Sequence, residues 1–231
     1  MTAVLFIVGA YLWGSIPSAY LAARYFRNID IREYGSGNVG AANVFSQLGK
    51  RAGWTLGTFD SMGKGALPVF LASLLDQSLA VQAGTGLAAI AGHNWSPYIG
   101  FTGGRGVATA GGVVFGVWMW PEVLILTVVM GAMGRLLFRE SGFWTFVAML
   151  LLPFLAYLFD RPQEMVYMTV GIVVLLTAKR LTGNWDRPPR GESVWLVLVY
   201  RMLWDRDVAR QAQWTERRPH PETERSSDVG A

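Results

Sequence analysis

The stretch "TAVLFIVGAYLWGSIPSAYLAA", residues 2–23, runs without a single charged side chain. A bilayer core of about 30 Å is crossed by roughly 20 such residues in a helix. The stretch has no basic leader and no clear small-residue cleavage site, and it carries Pro17 inside it, so it reads as a retained helix and not a secretory signal. Further apolar segments follow at about 53–75, 79–99, 107–121, 122–138, 143–159 and 164–178. The fold class is therefore an all-α integral membrane protein with seven transmembrane helices, or five or six if the softer segments re-enter.

Charge placement orients those helices. With the N-terminus outside, the inner segments hold Arg24, Arg27, Arg32, Lys50 and Arg51, then Arg105, then Arg135 and Arg139, and ten more cations from Lys179 onward. Only Arg161 falls outside, and Lys64 falls within a span. Positive charge is retained on the cytoplasmic side of membrane proteins, so the C-terminus is expected to be cytoplasmic. The chain divides into a membrane domain, 1–185, and a cytoplasmic tail, 186–231. In the tail "ESVWLVLVYRMLW" is too short to span and predicts an interfacial helix at about 193–210. The polar end, "RRPHPETERSSDVGA", is expected to be disordered. With no cysteine among 231 residues, disulfides and thiolate metal sites are excluded. No internal repeat of the kind transporters carry is visible.

The unusual residues gather at the inner helix ends. "GSGNVGAANV", 35–44, has the glycine spacing of a dinucleotide loop, yet "RNIDIREY" before it is too polar for a buried strand. Its glycines, serine and asparagines instead suit a loop whose amides face an anion. "FTGGRGVAT" places Gly103, Gly104, Arg105 and Gly106 at the expected start of a helix, where amides, dipole and guanidinium all favour phosphate; an ordinary glycine turn with a snorkelling arginine is the bland reading. Asp60 and Lys64 stand four apart on one helix face. If that helix starts near Gly53, Lys64 lies roughly 16 Å along it. Such a residue is either half of a structural ion pair or a ligand contact. His93, with Asn94 and Pro97, lies near the inner end of the third span, as a structural or a site residue. Ser141 and Asn184 stand at helix ends, where they can simply cap.

Taken in order, "GSIPSAYL", "GSGNVGAAN", "KGALPV", "GHNWSPYIGFTGGRGVAT" and "SG" at 141–142 resemble the bacterial acyl-phosphate:glycerol-3-phosphate acyltransferase family over about 12–184. The resemblance implies a seven-helix protein of the bacterial inner membrane with its site facing the cytoplasm. It implies transfer of a fatty acyl group from acyl phosphate to the 1-hydroxyl of glycerol 3-phosphate, giving 1-acylglycerol 3-phosphate and phosphate, the first step of phospholipid synthesis. No metal or other cofactor is implied. The partners are the two substrates and membrane lipid, not nucleic acid, and a monomer is expected. Carried over by position, Lys64, His93, Arg105 and Ser141 are the catalytic candidates. Ser36, Gly37, Asn38, Asn43, Gly103, Gly104, Gly106 and Asn184 are the substrate and phosphate contacts.

Three positions depart from the family pattern. Arg105 stands for a lysine, Ser46 for an arginine and Leu181 for a histidine. Lys50 or Arg51 is the expected replacement for the cation missing at Ser46. The departures motivate one alternative, a catalytically weakened relative that binds an anionic lipid. A transporter of a small phosphorylated solute is the other, and it would need polar outer helix ends that are scarce here.

Overall fold

The computed structural model describes residues 1–138, 140–189 and 191–208, and for Arg135 the backbone only. Arg139, Arg190, the last residues of the expected interfacial helix, and the polar end with His220 lie outside the described residues. The described residues are helical throughout, and their one β-like feature is an isolated bridge between Ser96 and Thr102.

Each predicted span holds a helical run. The first is broken: α1 (Thr2–Gly14) gives way at Ser15–Pro17 to α2 (Ser18–Arg27). Pro17 has no amide to donate, and α2 is amphipathic, burying Ala19 and Ala23 while exposing Arg24 and Arg27. After the short α3 (Ala41–Gln47), the second run is α4 (Lys50–Thr58), a π-helical segment (Phe59–Ala66) and α5 (Leu67–Leu74). The third is α6 (Leu79–Asn94), which stops before Pro97 as the proline demands. Then come α7 (Val107–Gly116), α8 (Trp120–Val128) running into a second π segment (Val129–Leu137), α9 (Ser141–Leu158) and α10 (Gln163–Thr182). The tail contributes α11 (Val194–Trp204), shorter than the helix expected there.

Among the described residues only three runs are long and apolar enough to cross a bilayer by themselves: Thr2–Arg27, Ser141–Leu158 and Gln163–Thr182. The others are short or interrupted. Val107–Gly116 has ten residues, about 15 Å of helix, and the second run carries Asp60 and Lys64.

Small residues set how closely the helices approach, as in membrane bundles. Gly92 of α6 lies directly against the carbonyl of Tyr11, and Gly14 of α1 against that of Ala89, so neither site has room for a Cβ. Gly65 and Gly112 join the first π segment to α7 in the same way, against Thr109 O and Ser61 O. The main core gathers Ile90, Val113, Met149, Met168 and Ile172 from four helices. A second, smaller core of Ala19, Ala23, Ile31, Val39 and Val44 lies beneath the 35–44 loop and fixes it to α2 and α3. Meanwhile Leu5, Leu124, Phe154 and Val174 are each more than half exposed, so the outer surface of the bundle is oily.

The two ends of the bundle differ. Away from the glycine loops, Arg161 meets the fully buried Glu122 with two bonds of 2.6 and 2.9 Å. At the glycine-loop end, α11 docks on α9 and α10, and the Trp204 carbonyl touches Gly142 at the start of α9.

Candidate active site

Two glycine loops meet at one end of the bundle. The first turns through Gly35 and Gly37, both with positive φ (55° and 68°), which a side chain would strain. Its amide at Val39 donates to the carbonyl of Gly103 in the second loop, at 3.3 Å. Asn43 locks the turn: its Nδ2 donates to the carbonyls of Ile31, Tyr34 and Asn38 at 2.9–3.1 Å. Ser36 Oγ accepts from the Asn38 amide, and the Asn38 Oδ1 is buried with no partner.

The second loop is held differently from the sequence reading. The Gly103 and Gly104 amides, expected to be free for phosphate, are both taken. Gly103 N–H donates to Asn184 Oδ1 and Gly104 N–H to the His93 carbonyl, each at 3.0 Å. Asn184 is a hub: it also accepts from Lys179 Nζ at 2.8 Å and donates through Nδ2 to the Gly37 carbonyl at 3.1 Å. A Cβ on Gly104 would collide with His93 Nε2, so the glycine lets the imidazole pack flat against the loop. Gly106 has φ 73° and begins α7 against Asn94.

Behind the loops lies a buried ionic cluster. Asp60 and Lys64, both 1% exposed, pair at 2.6 Å across one turn of the first π segment. Ser18 Oγ donates to Asp60 at 3.0 Å and accepts from Lys64 Nζ at 2.8 Å. His93 Nδ1 lies 3.9 Å from the same carboxylate oxygen. Widening a helix into a π turn is frequent at functional positions, and here it frees the Gly63 carbonyl to accept from Trp13 Nε1 at 2.7 Å.

Three connected hollows open from this scaffold. A polar cavity of about 240 Å³ is lined by Ser36, Asn38, Asn43, Ser46, Arg105 and Ser141, with Glu140, Trp204, Asp205 and Arg206. A larger one of about 570 Å³ shares Asn38, Arg105, Ser141 and Asp205 with it and adds Asp60, His93, Gly106 and Arg180. It continues through Val107, Gly111, Val123, Thr127, Met130 and Thr145 into an almost wholly apolar hollow of about 70 Å³ between α7, α8, α9 and α10. Arg105 stands at the junction. Its Nε is 2.9 Å from Asp205 Oδ1 and its Nη1 donates to the Lys179 carbonyl at 3.1 Å.

Comparison with known proteins supplies the lineage. A sequence model of the family described as glycerol-3-phosphate acyltransferase matches residues 4–187. The chain is 35% identical over 227 residues to glycerol-3-phosphate acyltransferase 5 of Dehalococcoides mccartyi, covering 96% of both chains. It is 36% identical over 180 residues to the glycerol-3-phosphate acyltransferase of Endomicrobium trichonymphae, covering 78% of this chain and 89% of that one. Among solved structures, PlsY, an integral membrane glycerol 3-phosphate acyltransferase, in its glycerol 3-phosphate form superposes with a TM-score of 0.72 at 32% identity, covering 78% of this chain and 88% of its own. Its lysophosphatidic acid form gives 0.71 at 31%. This chain belongs to the glycerol-3-phosphate acyltransferase family.

In this acyltransferase-family chain, the residues singled out from sequence fall into three groups. Ser36, Asn38, Asn43, Arg105 and Ser141 line the polar cavity, and His93 and Gly106 line its larger neighbour. Gly37, Gly103, Gly104 and Asn184 are the joints that hold the two loops together. Lys64 is packed behind Asp60 and is absent from the lining of these cavities. Lys50 and Arg51, offered as replacements for the cation missing at Ser46, are exposed and face neither cavity.

Sequence reasoning missed several participants. Lys179, counted only among the cytoplasmic-side cations, is fully buried, bonded to Asn184 and stacked over the Trp95 ring at 5.6 Å. Arg180, counted likewise, is 2% exposed and donates to the carbonyls of Met202 and Gly142. Asp205 and Arg206 reach the polar cavity from beyond the stretch that the family model matches. Only the fold brings them in; their sequence neighbourhood reads as an interfacial helix of the tail, with nothing to tie it to the site.

Proposed function

We propose that this protein transfers an acyl group from acyl phosphate to the 1-hydroxyl of glycerol 3-phosphate in the bacterial inner membrane. The observation that carries the reading is the position of Arg105, whose guanidinium lines both the polar cavity and the larger hollow that runs on into apolar surface. Two anionic substrates, one small and polar and one with a long apolar tail, suit two adjoining cavities of those shapes.

The chemistry asks for positioning more than for a covalent group. Acyl phosphate is already activated, and holding both reactants in attack geometry removes much of the entropic barrier. The glycerol hydroxyl attacks the acyl carbon, the carbon–oxygen bond to phosphate breaks, and the released phosphate carries away the proton that the hydroxyl loses. Arg105 faces the charge that builds on the departing phosphate, a use of a fixed cation in a water-poor site. Asn38 lines both cavities and hydrogen-bonds a glycerol hydroxyl. Ser36 and Ser141 donate to phosphate oxygens. His93 forms the wall beside the glycine loop, 3.9 Å from Asp60, while the Asp60–Lys64–Ser18 cluster packs behind that wall.

Seven membrane passes, a site end that faces the cytoplasm, a 1–185 membrane domain and a monomeric protein belong to the same reading. The oily outer surface supports membrane insertion, and the π segments lengthen the α4–α5 run and α8. The deciding experiment gives purified protein acyl phosphate and labelled glycerol 3-phosphate. Lysophosphatidate from the wild type, lost in Ser36→Ala and Arg105→Met, is the expected result. No product from folded wild-type protein, or uptake of glycerol 3-phosphate into sealed vesicles without acylation, overturns it.

A further inference from the structure

The polar cavity has a wall that the family's own segment does not supply. The family match ends at residue 187, yet Trp204, Asp205 and Arg206 line this cavity beside Ser36, Asn38 and Ser46. The segment is firmly placed. Arg201 holds Asp207 with two bonds of 2.6 and 2.8 Å and donates to the carbonyls of Leu181 and Asp186. Arg180 holds the Met202 carbonyl at 2.8 Å, and Trp204 presses on Gly142. Arg206 follows directly from this anchored turn.

Its electrostatics are incomplete. Arg206 is only 8% exposed. Its terminal nitrogens reach one carboxylate, Glu140, at 3.3 and 3.5 Å, longer than a good charge-assisted bond, and its Nε is buried with no partner. A buried guanidinium with free donors is costly unless an anion completes it. Ser46 lines the same cavity but is too short and neutral to hold one. Of the two substrates, the cavity suits the compact one, because its wall is more polar than that of the neighbouring hollow, from which the apolar track opens.

We propose that Arg206, delivered by the α11 extension, binds the phosphate of glycerol 3-phosphate and so completes a site whose other residues lie in the family segment. The proposal rests on the acyltransferase reading for the identity of the ligand. The Dehalococcoides mccartyi relative matches over 96% of this chain, a length that must include α11, so that relative carries the same extension.

Calorimetric titration of glycerol 3-phosphate into the full-length protein, without acyl phosphate, tests this apart from turnover. Arg206→Gln is expected to weaken binding by about tenfold or more, as loss of a charged hydrogen-bonding partner does. Arg206→Lys should keep part of the affinity, and adding Ser46→Arg to Arg206→Gln should restore most of it by placing a guanidinium in the same cavity from the other side chain. Glu140→Gln, which releases Arg206, should bind as well as the wild type or better. In turnover, the KM for glycerol 3-phosphate should rise in Arg206→Gln while that for acyl phosphate stays within about twofold. Undiminished binding by a folded Arg206→Gln, no rescue by Ser46→Arg, or a wild type that does not bind glycerol 3-phosphate overturns the proposal. Intact, Arg206-dependent binding with no acyl transfer overturns the acyltransferase reading and leaves this one standing.

Discussion

Arg105 and Lys64 are both single cations in a membrane bundle, and their surroundings assign them opposite work. Arg105 faces two cavities, with one donor committed to the Lys179 carbonyl, its charge paired with Asp205, and its remaining donors available to a ligand. Arg105→Met is expected to lower kcat/KM by about 100-fold, the scale of losing one oxyanion-stabilising group. Arg105→Lys, which keeps the charge but not the planar fork, should stay within about tenfold of the wild type. Equal turnover by the Met variant in the labelled-substrate assay would remove Arg105 from the site. Lys64 has its charge satisfied inside the protein by Asp60 and Ser18. Removing one partner of a buried pair strands the other, so Lys64→Met should destabilise the fold by about 3 kcal/mol. The measurement is thermal unfolding in detergent; an unchanged midpoint with abolished activity would instead make Lys64 a direct substrate contact. From sequence these two cations were both plausible ligands, because depth along a helix says nothing about which neighbour a side chain meets.

Between elements, glycine is what lets the site exist. The α1–α6 contact at Gly92 admits no side chain, with Ser15 Oγ only 2.8 Å and Ser15 N 3.0 Å from where a Cβ would stand. Gly92→Val should therefore force α1 off α6 and cost about 1–3 kcal/mol by overpacking. Gly9→Ala is the control, since nothing lies within 4 Å of that position. A melting temperature lowered in Gly92→Val and unchanged in Gly9→Ala is expected; equal behaviour of the two would mean that the helices slide without penalty. Because α1 carries Ser15 and leads into Ser18, its displacement should also loosen the Asp60–Lys64 cluster. The helical runs were legible in the charge-free stretches. The end of α6 was legible at Pro97, whereas the full break at Ser15–Pro17 was not, because a proline can also sit inside a continuous helix, as Pro153 does in α9. The two π segments were not, since an extra residue per turn leaves the apolar pattern almost unaltered.

For the molecule as a whole, orientation is the property most open to direct test. The chain has no cysteine, so single cysteines report without background. Lys50→Cys at the site end should react with an impermeant maleimide only from the cytoplasmic side. Asp160→Cys, beside the Glu122–Arg161 pair at the far end, should react only from outside. Labelling of both from one side would refute the proposed topology. The charge count behind this proposed orientation includes Lys179, Arg180, Arg201 and Arg206 among the cytoplasmic cations, and all four are buried. Arg201 is even held above its ordinary pKa by its hydrogen bond to Asp207, so it is a charged clamp inside the protein. The sequence alone determined the class, a bundle of membrane helices, and the gathering of polar residues at one end of it. It could do so because hydrophobicity and backbone breaks are local properties of the chain. Which cations line the cavities, which are packed behind them, and that a tail segment returns to line the polar cavity were decided by tertiary structure. Those outcomes depend on which groups meet across dozens of residues, and a buried charge takes its role from the partner it finds there.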